Sequence, residues 1–177
     1  LKMIFNGDFG NSFRFKTPAM PLVLERLPAT IELAFFAIII SILIAIPAGV
    51  LSAIYQNSLL DYIVTIVSTI GRAMPNFWIG IMLILLFSVF FKFLPVSGRL
   101  EASSFILPAI TLGTSIATTL ARILRSSMLE VIRKEYVITA YSKGLSKFNV
   151  IKDHILRNSL IAITTVFGLQ FAWILGG

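Results

Sequence analysis

The sequence predicts an all-α fold, a polytopic bundle of transmembrane helices, and three observations carry that prediction. Hydrophobic residues make up 57% and charged residues only 13% of the 177 positions, with a mean hydropathy of +0.93. A soluble domain carries about a quarter charged residues, so too little polar surface remains here to coat a water-facing globule. Apolar runs of helix length recur along the chain, on the scale needed to cross a hydrocarbon core of about 30 Å. The Lys and Arg residues that give a net charge of +7 fall between those runs, the distribution expected of loops at a membrane face.

Residues 1–28 are polar to mixed, with Gly7, Gly10, Pro18, Pro21 and Pro28, and read as an external loop; "GDFG" is most simply a turn. The first span is "ATIELAFFAIIISILIAIPAGVL", residues 29–51. Its length is roughly 34 Å as helix, enough to cross the core. Glu32 lies within a turn of its start, where an interfacial carboxylate is tolerated, while Pro47 and Gly49 predict a kink or frayed exit.

The second span is assigned to 62–93. Ile63, Ile66, Val67 and Ile70 recur at i, i+3, i+4, i+7, with Thr65, Ser68 and Thr69 on other faces. Pro75 has no N–H to donate to Gly71, so the helix breaks or bends near "GRAMP" with Gly71 and Pro75 as the hinge. The pattern leaves open whether 61–72 lies in the membrane surface or forms the first half of the span. Arg72 is costly in lipid and is expected to face protein, water or a headgroup.

The third span, 105–125, places Thr111, Ser115, Thr118 and Arg122 on one stripe, at about 0°, 40°, −20° and 20° on a helical wheel. The stripe is a candidate lining for a transport path; small and hydroxyl residues also simply let helices approach. The last span, 158–177, carries Gln170 deep inside it, and that amide is expected to face the bundle interior.

Between these two spans lies a basic loop, 130–157. Residues 122–157 hold eight Lys or Arg, the densest cluster in the chain, which favours a cytoplasmic position. Within it, Glu135–Ser142 is compatible with a short helix. Gly144 supplies a positive-φ stop, and Ser146 can cap a second short helix in which Phe148, Ile151 and Ile155 repeat at i, i+3, i+7. Two short helices at an angle, part polar and part apolar, suit a groove in a partner protein. They suit a lipid surface equally well.

Enzyme classes are poorly served. The chain has no cysteine and one histidine, His154, which excludes thiolate chemistry and a multi-histidine metal site. H-E-x-x-H, G-x-S-x-G and G-x-x-x-x-G-K-[ST] are all missing from the sequence. The basic residues lack the aromatic interleaving of a nucleic-acid surface, so no nucleic-acid partner is expected.

"EYVITAYSKGLSKFNVIKDHILRNSL" resembles the cytoplasmic EAA loop of inner-membrane permeases of binding-protein-dependent ABC importers, in particular the dipeptide/oligopeptide/nickel branch. That branch's loop runs approximately D-Y-V-x-T-A-x-x-K-G-L-x-x-x-x-V-x-x-x-H-x-x-R-N. Tyr136, Val137, Thr139, Ala140, Lys143, Gly144, Leu145, Val150, His154, Arg157 and Asn158 match it without a gap. "GDFGNS", "ERLPATIELA", "MPNFWIG", "LPAITLG" and "ARILRSSMLEV" resemble further family segments in the expected order, so the resemblance covers essentially the whole chain. The general motif's Glu and Pro are replaced by Ile138 and Arg157.

The resemblance implies a type I importer permease fold, multi-pass in the bacterial inner membrane. The chain would be a fragment lacking the family's first span and C-terminal part, consistent with its start at Leu1 and its end inside "WILGG". Implied partners are a second homologous permease, in a heterodimer, two cytoplasmic ABC ATPases and an extracytoplasmic substrate-binding protein, besides membrane lipid. ATP and Mg²⁺ would sit on the ATPases, with no cofactor in this chain. Tyr136, Thr139, Ala140, Lys143, Gly144, Leu145, Ser146, Val150 and His154 become the implied ATPase-coupling set. Peptides, nickel or metal chelates are the substrates the branch implies. The competing class is a channel or membrane-scaffold subunit whose basic loop binds lipid.

Overall fold

A computed structural model describes residues 9–96, 98 and 102–176. Lys2, Gly7, the first half of "GDFG", Arg99 and Gly177 lie outside them. The described residues are helical apart from turns, loops and a single antiparallel bridge, Asn11 to Pro18. Among the described residues three helices are long and apolar enough to cross a membrane, or up to four if one bent pair counts as a span.

Helix α1, Ala19–Ile54, begins ten residues before the expected 29. Pro18, which cannot continue a preceding ladder but suits a helix start, stands at its N-cap with φ −51°. The loop reading of 1–28 therefore fails from Ala19 onward. Glu32 sits well inside the helix instead of at its start. At 36 residues α1 is about 54 Å long, more than a core of about 30 Å requires. Pro28 and Pro47 both lie inside the helix, which continues past Pro47 to Ile54 without a frayed exit.

Helix α2 is Leu59–Ala73. Ser58 caps it, its Oγ accepting from the Asp61 N–H at 3.3 Å. The expected periodicity is present, but Ile63, Ile66, Val67 and Ile70 are exposed and Asp61 and Ser68 are buried. In lipid, helix–helix contact favours small and polar groups and leaves large apolar side chains outward. Helix α3, Asn76–Leu83, follows and runs on through a wider π-helical stretch, Ile84–Phe90. The two arms meet at 102°, which rules out one straight span over 62–93. Met74, preceding a proline, is extended at ψ 129°, and Pro75 opens α3 at ψ 138°. The bend lies at Met74–Pro75, while Gly71 remains helical.

A short 3₁₀ turn, Ala102–Phe105, leads into α4, Ile106–Ile132, seven residues past the expected end at 125. Helix α5 is Glu135–Ser142. Helix α6 joins Lys147–Asn149, a π-helical stretch Val150–Leu156, and Arg157–Gly176 into one rod. The expected second short helix of the basic loop is thus the first two turns of the last span.

The core is the α1–α4 seam, with α6 and α5 against it. Ala34, Ala37, Ser41, Ala45, Gly49 and Ser52 form a small-residue stripe on α1, buried throughout. A Cβ on Gly49 would lie 2.9 Å from the Ala121 carbonyl oxygen, and one on Gly113 would lie 2.8 Å from that of Ala37. Backbones this close gain dispersion contact that bulkier residues would prevent.

Candidate functional site

Two features lie at the end of the bundle that carries the basic loop, and a third lies deeper among the spans. The first is α5. Its N-terminus follows α4 by two residues, and its end is closed by Gly144 at φ +78°, with Gly144 N–H donating to the Tyr141 carbonyl at 2.9 Å. A left-handed residue here lets the chain reverse at no Cβ cost. Ser146 then caps α6, its Oγ accepting from Asn149 N–H at 3.3 Å. The implied coupling residues divide into two groups. Tyr136, Thr139, Lys143, Gly144, Leu145 and Ser146 are exposed, together with Ile138, Tyr141 and Phe148. Ala140 and Val150 are buried with Val137 in the same core cluster as Leu124, Met128 and Ile155. They seat the helix and present nothing to a partner. His154 is half-buried on α6.

The expected stripe of Phe148, Ile151 and Ile155 does not hold to one face. Phe148 is 71% exposed and Ile155 is 1% exposed. The π-helical turns between them advance less per residue than an α-helix, so residues seven apart leave the shared face.

The second feature was not found from the sequence. Asp61 is 2% exposed and bound on both oxygens. Arg125 Nε donates to Oδ1 and Nη2 to Oδ2, each at 2.7 Å. Ser52 Oγ donates to Oδ1 at 2.5 Å and Asn57 N–H to Oδ2 at 2.9 Å. The bidentate fork is the strong form of this pair, and it ties α1, the 55–58 turn, α2 and α4 at one point. The available signal was "SLLD", Ser58 to Asp61, a capping-box pattern.

The third feature is the expected pathway set, which the structure divides. Ser115 and Gln170 come together in a cavity of about 190 Å³ with Asn76, Thr119 and Trp173. Thr111 donates to the Leu107 carbonyl at 2.8 Å and lines a larger, mostly apolar cavity of about 390 Å³ with Asn76, Gly80 and Pro95. Thr118 lies against Gly71, where a Cβ would stand 2.8 Å from its Cγ2. Arg122 is exposed. Among the described residues no group of His, Asp and Glu could hold a metal ion.

Comparison with known proteins places these features in a family. Residues 45–177 match the model of the binding-protein-dependent transport system inner membrane component. The chain is 41% identical to the oligopeptide transport system permease protein AppB of Bacillus subtilis, over 97% of the chain and 58% of that protein. It is 41% identical to the di/tripeptide permease DppB of Pseudomonas aeruginosa, over 97% of the chain and 59% of that protein. Identity to the dipeptide permease DppB of Escherichia coli is 36%, over 98% of the chain and 60% of that protein. The chain thus spans under two thirds of the length of these relatives. A crystal structure described as an amino acid ABC transporter with histidines has the same fold, with a TM-score of 0.61 at 18% identity, covering 89% of this chain and 69% of that one. The chain belongs to the binding-protein-dependent inner-membrane transport components, multi-pass proteins of the bacterial inner membrane.

Proposed function

We propose that the protein is a permease subunit of an ATP-driven importer of peptides or related small solutes. It would pair with a second, non-identical permease, two cytoplasmic ATPases that hold ATP and Mg²⁺, and an extracytoplasmic substrate-binding protein. Hydrolysis belongs to the ATPases, so this subunit is not itself an enzyme. The relatives named as peptide permeases favour peptides over nickel or metal chelates.

The observation that carries the reading is the build of α5. A short helix is anchored from below by Val137 and Ala140 while Tyr136, Ile138, Tyr141 and Leu145 stand exposed above. Exposed apolar side chains grouped on a seated element mark a docking surface. ATP-driven closure of the ATPase pair would push on this face. Because Val137, Ala140, Val150 and Ile155 share one core cluster with α4, the push reaches α4 and α6 together. Since α6 is continuous from Lys147, the displacement passes directly into the last span as rigid-body motion. Thr111, Ser115, Thr118, Arg122 and Gln170 are the proposed pathway-side residues.

The test is to purify the full-length permease with its ATPases and substitute the exposed face, Ile138→Glu and Tyr141→Ala together. The complex should lose its ATPases and at least about tenfold of its uptake, with membrane insertion unchanged. Normal uptake would sink the docking role. Cross-linkers on α5 that capture lipid alone would support the channel or scaffold reading instead.

A further inference from the structure

We propose that Asn76, Ser115, Thr119 and Gln170 form an uncharged hydrogen-bonding cup, walled by Trp173, that holds an amide group of a peptide in transit. This deepens the importer reading and rests on it. The cup draws on three elements: the corner of the α2–α3 bend supplies Asn76, the middle of α4 supplies Ser115 and Thr119, and α6 supplies Gln170 and Trp173.

The hydrogen bonding of α4 separates these groups from their neighbours. A hydroxyl on a helix in apolar surroundings satisfies itself on a carbonyl one turn back. Thr111, Thr114 and Thr118 do this, donating to Leu107, Ile110 and Ser115 carbonyls at 2.8, 2.7 and 2.8 Å. Ser115 and Thr119, two residues that line the cavity, make no such bond. Among the described residues neither the Asn76 nor the Gln170 amide has a side-chain partner. Their polar atoms are not sealed away either, since no buried side-chain nitrogen or oxygen lacks a partner. Two amides and two hydroxyls, all on residues that line one cavity, therefore keep donors and acceptors not taken up by the protein.

That inventory selects a ligand class. Each side-chain amide offers a carbonyl oxygen and an NH₂, the complement of a peptide group, which offers one N–H and one C=O. None of the residues that line the cavity is charged, so the cup has nothing to hold a terminal ammonium or carboxylate. Recognition falls on the backbone, common to all peptides, and not on side chains. Neutral hydrogen bonds exchanged against water are weak in net terms, which suits a station that must also release.

The test uses the full-length permease with its partner permease, ATPases and binding protein in proteoliposomes. Uptake is measured for tri-alanine and for tri-alanine N-methylated at the central amide, at saturating binding protein. The intact complex should carry tri-alanine faster than the N-methyl form. In Ser115→Ala/Thr119→Val/Gln170→Leu, tri-alanine uptake should fall about tenfold and the ratio between the two peptides should shrink toward one. Co-purification with the ATPases controls for folding. If the triple variant does not assemble, Ser115→Ala alone should lower tri-alanine uptake about threefold, the scale of one hydrogen bond. Variants with undiminished uptake and an unchanged ratio overturn the cup while leaving the importer standing. An intact complex that carries neither peptide overturns the importer reading, and the cup's ligand with it.

Discussion

Asp61 joins α1, the turn after it, α2 and α4 through a single carboxylate that accepts from Ser52, Asn57 and Arg125. A buried charge of this kind is tolerable only while its partners remain, because removing one leaves the other uncompensated away from water. Asp61→Asn keeps the shape and strips the charge facing Arg125. It should cost about 3 kcal/mol, seen as a lower thermal midpoint of the purified protein in detergent. Asp61→Leu/Arg125→Met should recover most of that loss, since paired removal leaves no orphan charge. A single variant as stable as the parent would show that the fork contributes nothing. Sequence reading passed over this carboxylate although "SLLD" signalled a cap. Nothing local reports that a residue 64 positions away will close the fork, since ion pairs between helices depend on packing and not on spacing.

At the scale of elements, the short helix α5 and the turn that ends it at Gly144 and Ser146 were legible, while the stripe expected beyond them was not. Gly144 and Ser146 are chemical punctuation, and punctuation acts locally. Gly144→Val should strain that turn, because φ +78° is a region a β-branched residue enters only at about 1–2 kcal/mol or more. A Cβ there meets nothing within 4 Å, so the cost is conformational and not steric. The expected result is faster hydrogen exchange at 140–150 and weaker ATPase binding, with the membrane spans unchanged; exchange at the parent rate would refute it. What stayed illegible was continuity and sidedness. Nothing in "SKFNV" says that the helix it opens runs on to Gly176. On α2 the apolar stripe was visible, but its direction was not, because lipid and core are equally apolar solvents for Ile63 and Ile66. The same limit applies to the pathway stripe. Spacing put Thr111, Ser115, Thr118 and Arg122 in line, but only packing decided that Ser115 shares a cavity with Gln170 while Thr118 lies against Gly71.

For the molecule as a whole, the spans are held by how near two backbones can come. Apolar burial does little to drive helices together inside lipid, so close packing of small residues must supply the attraction. Gly113 and Gly168 offer a paired test of that claim within one chain. A Cβ on Gly113 would stand 2.8 Å from the Ala37 carbonyl and 2.9 Å from Ile40 Cβ. Backbone at that distance cannot swing aside, so Gly113→Ala must push α1 from α4, at an overpacking cost of about 1–3 kcal/mol. A Cβ on Gly168 meets nothing within 4 Å, and Gly168→Ala should instead be neutral or gain about 0.5–1 kcal/mol from helix propensity. Thermal unfolding in detergent should therefore move in opposite directions for the two alanines. Equal shifts would mean that the α1–α4 seam is loose enough to absorb a methyl group, and that the bundle is held by something other than backbone proximity. The same pair also reports on assembly. If Gly168→Ala is harmless in the isolated subunit but lowers the yield of the complete complex, the open face of α6 is covered by the second permease. If it is harmless in both, that face meets lipid.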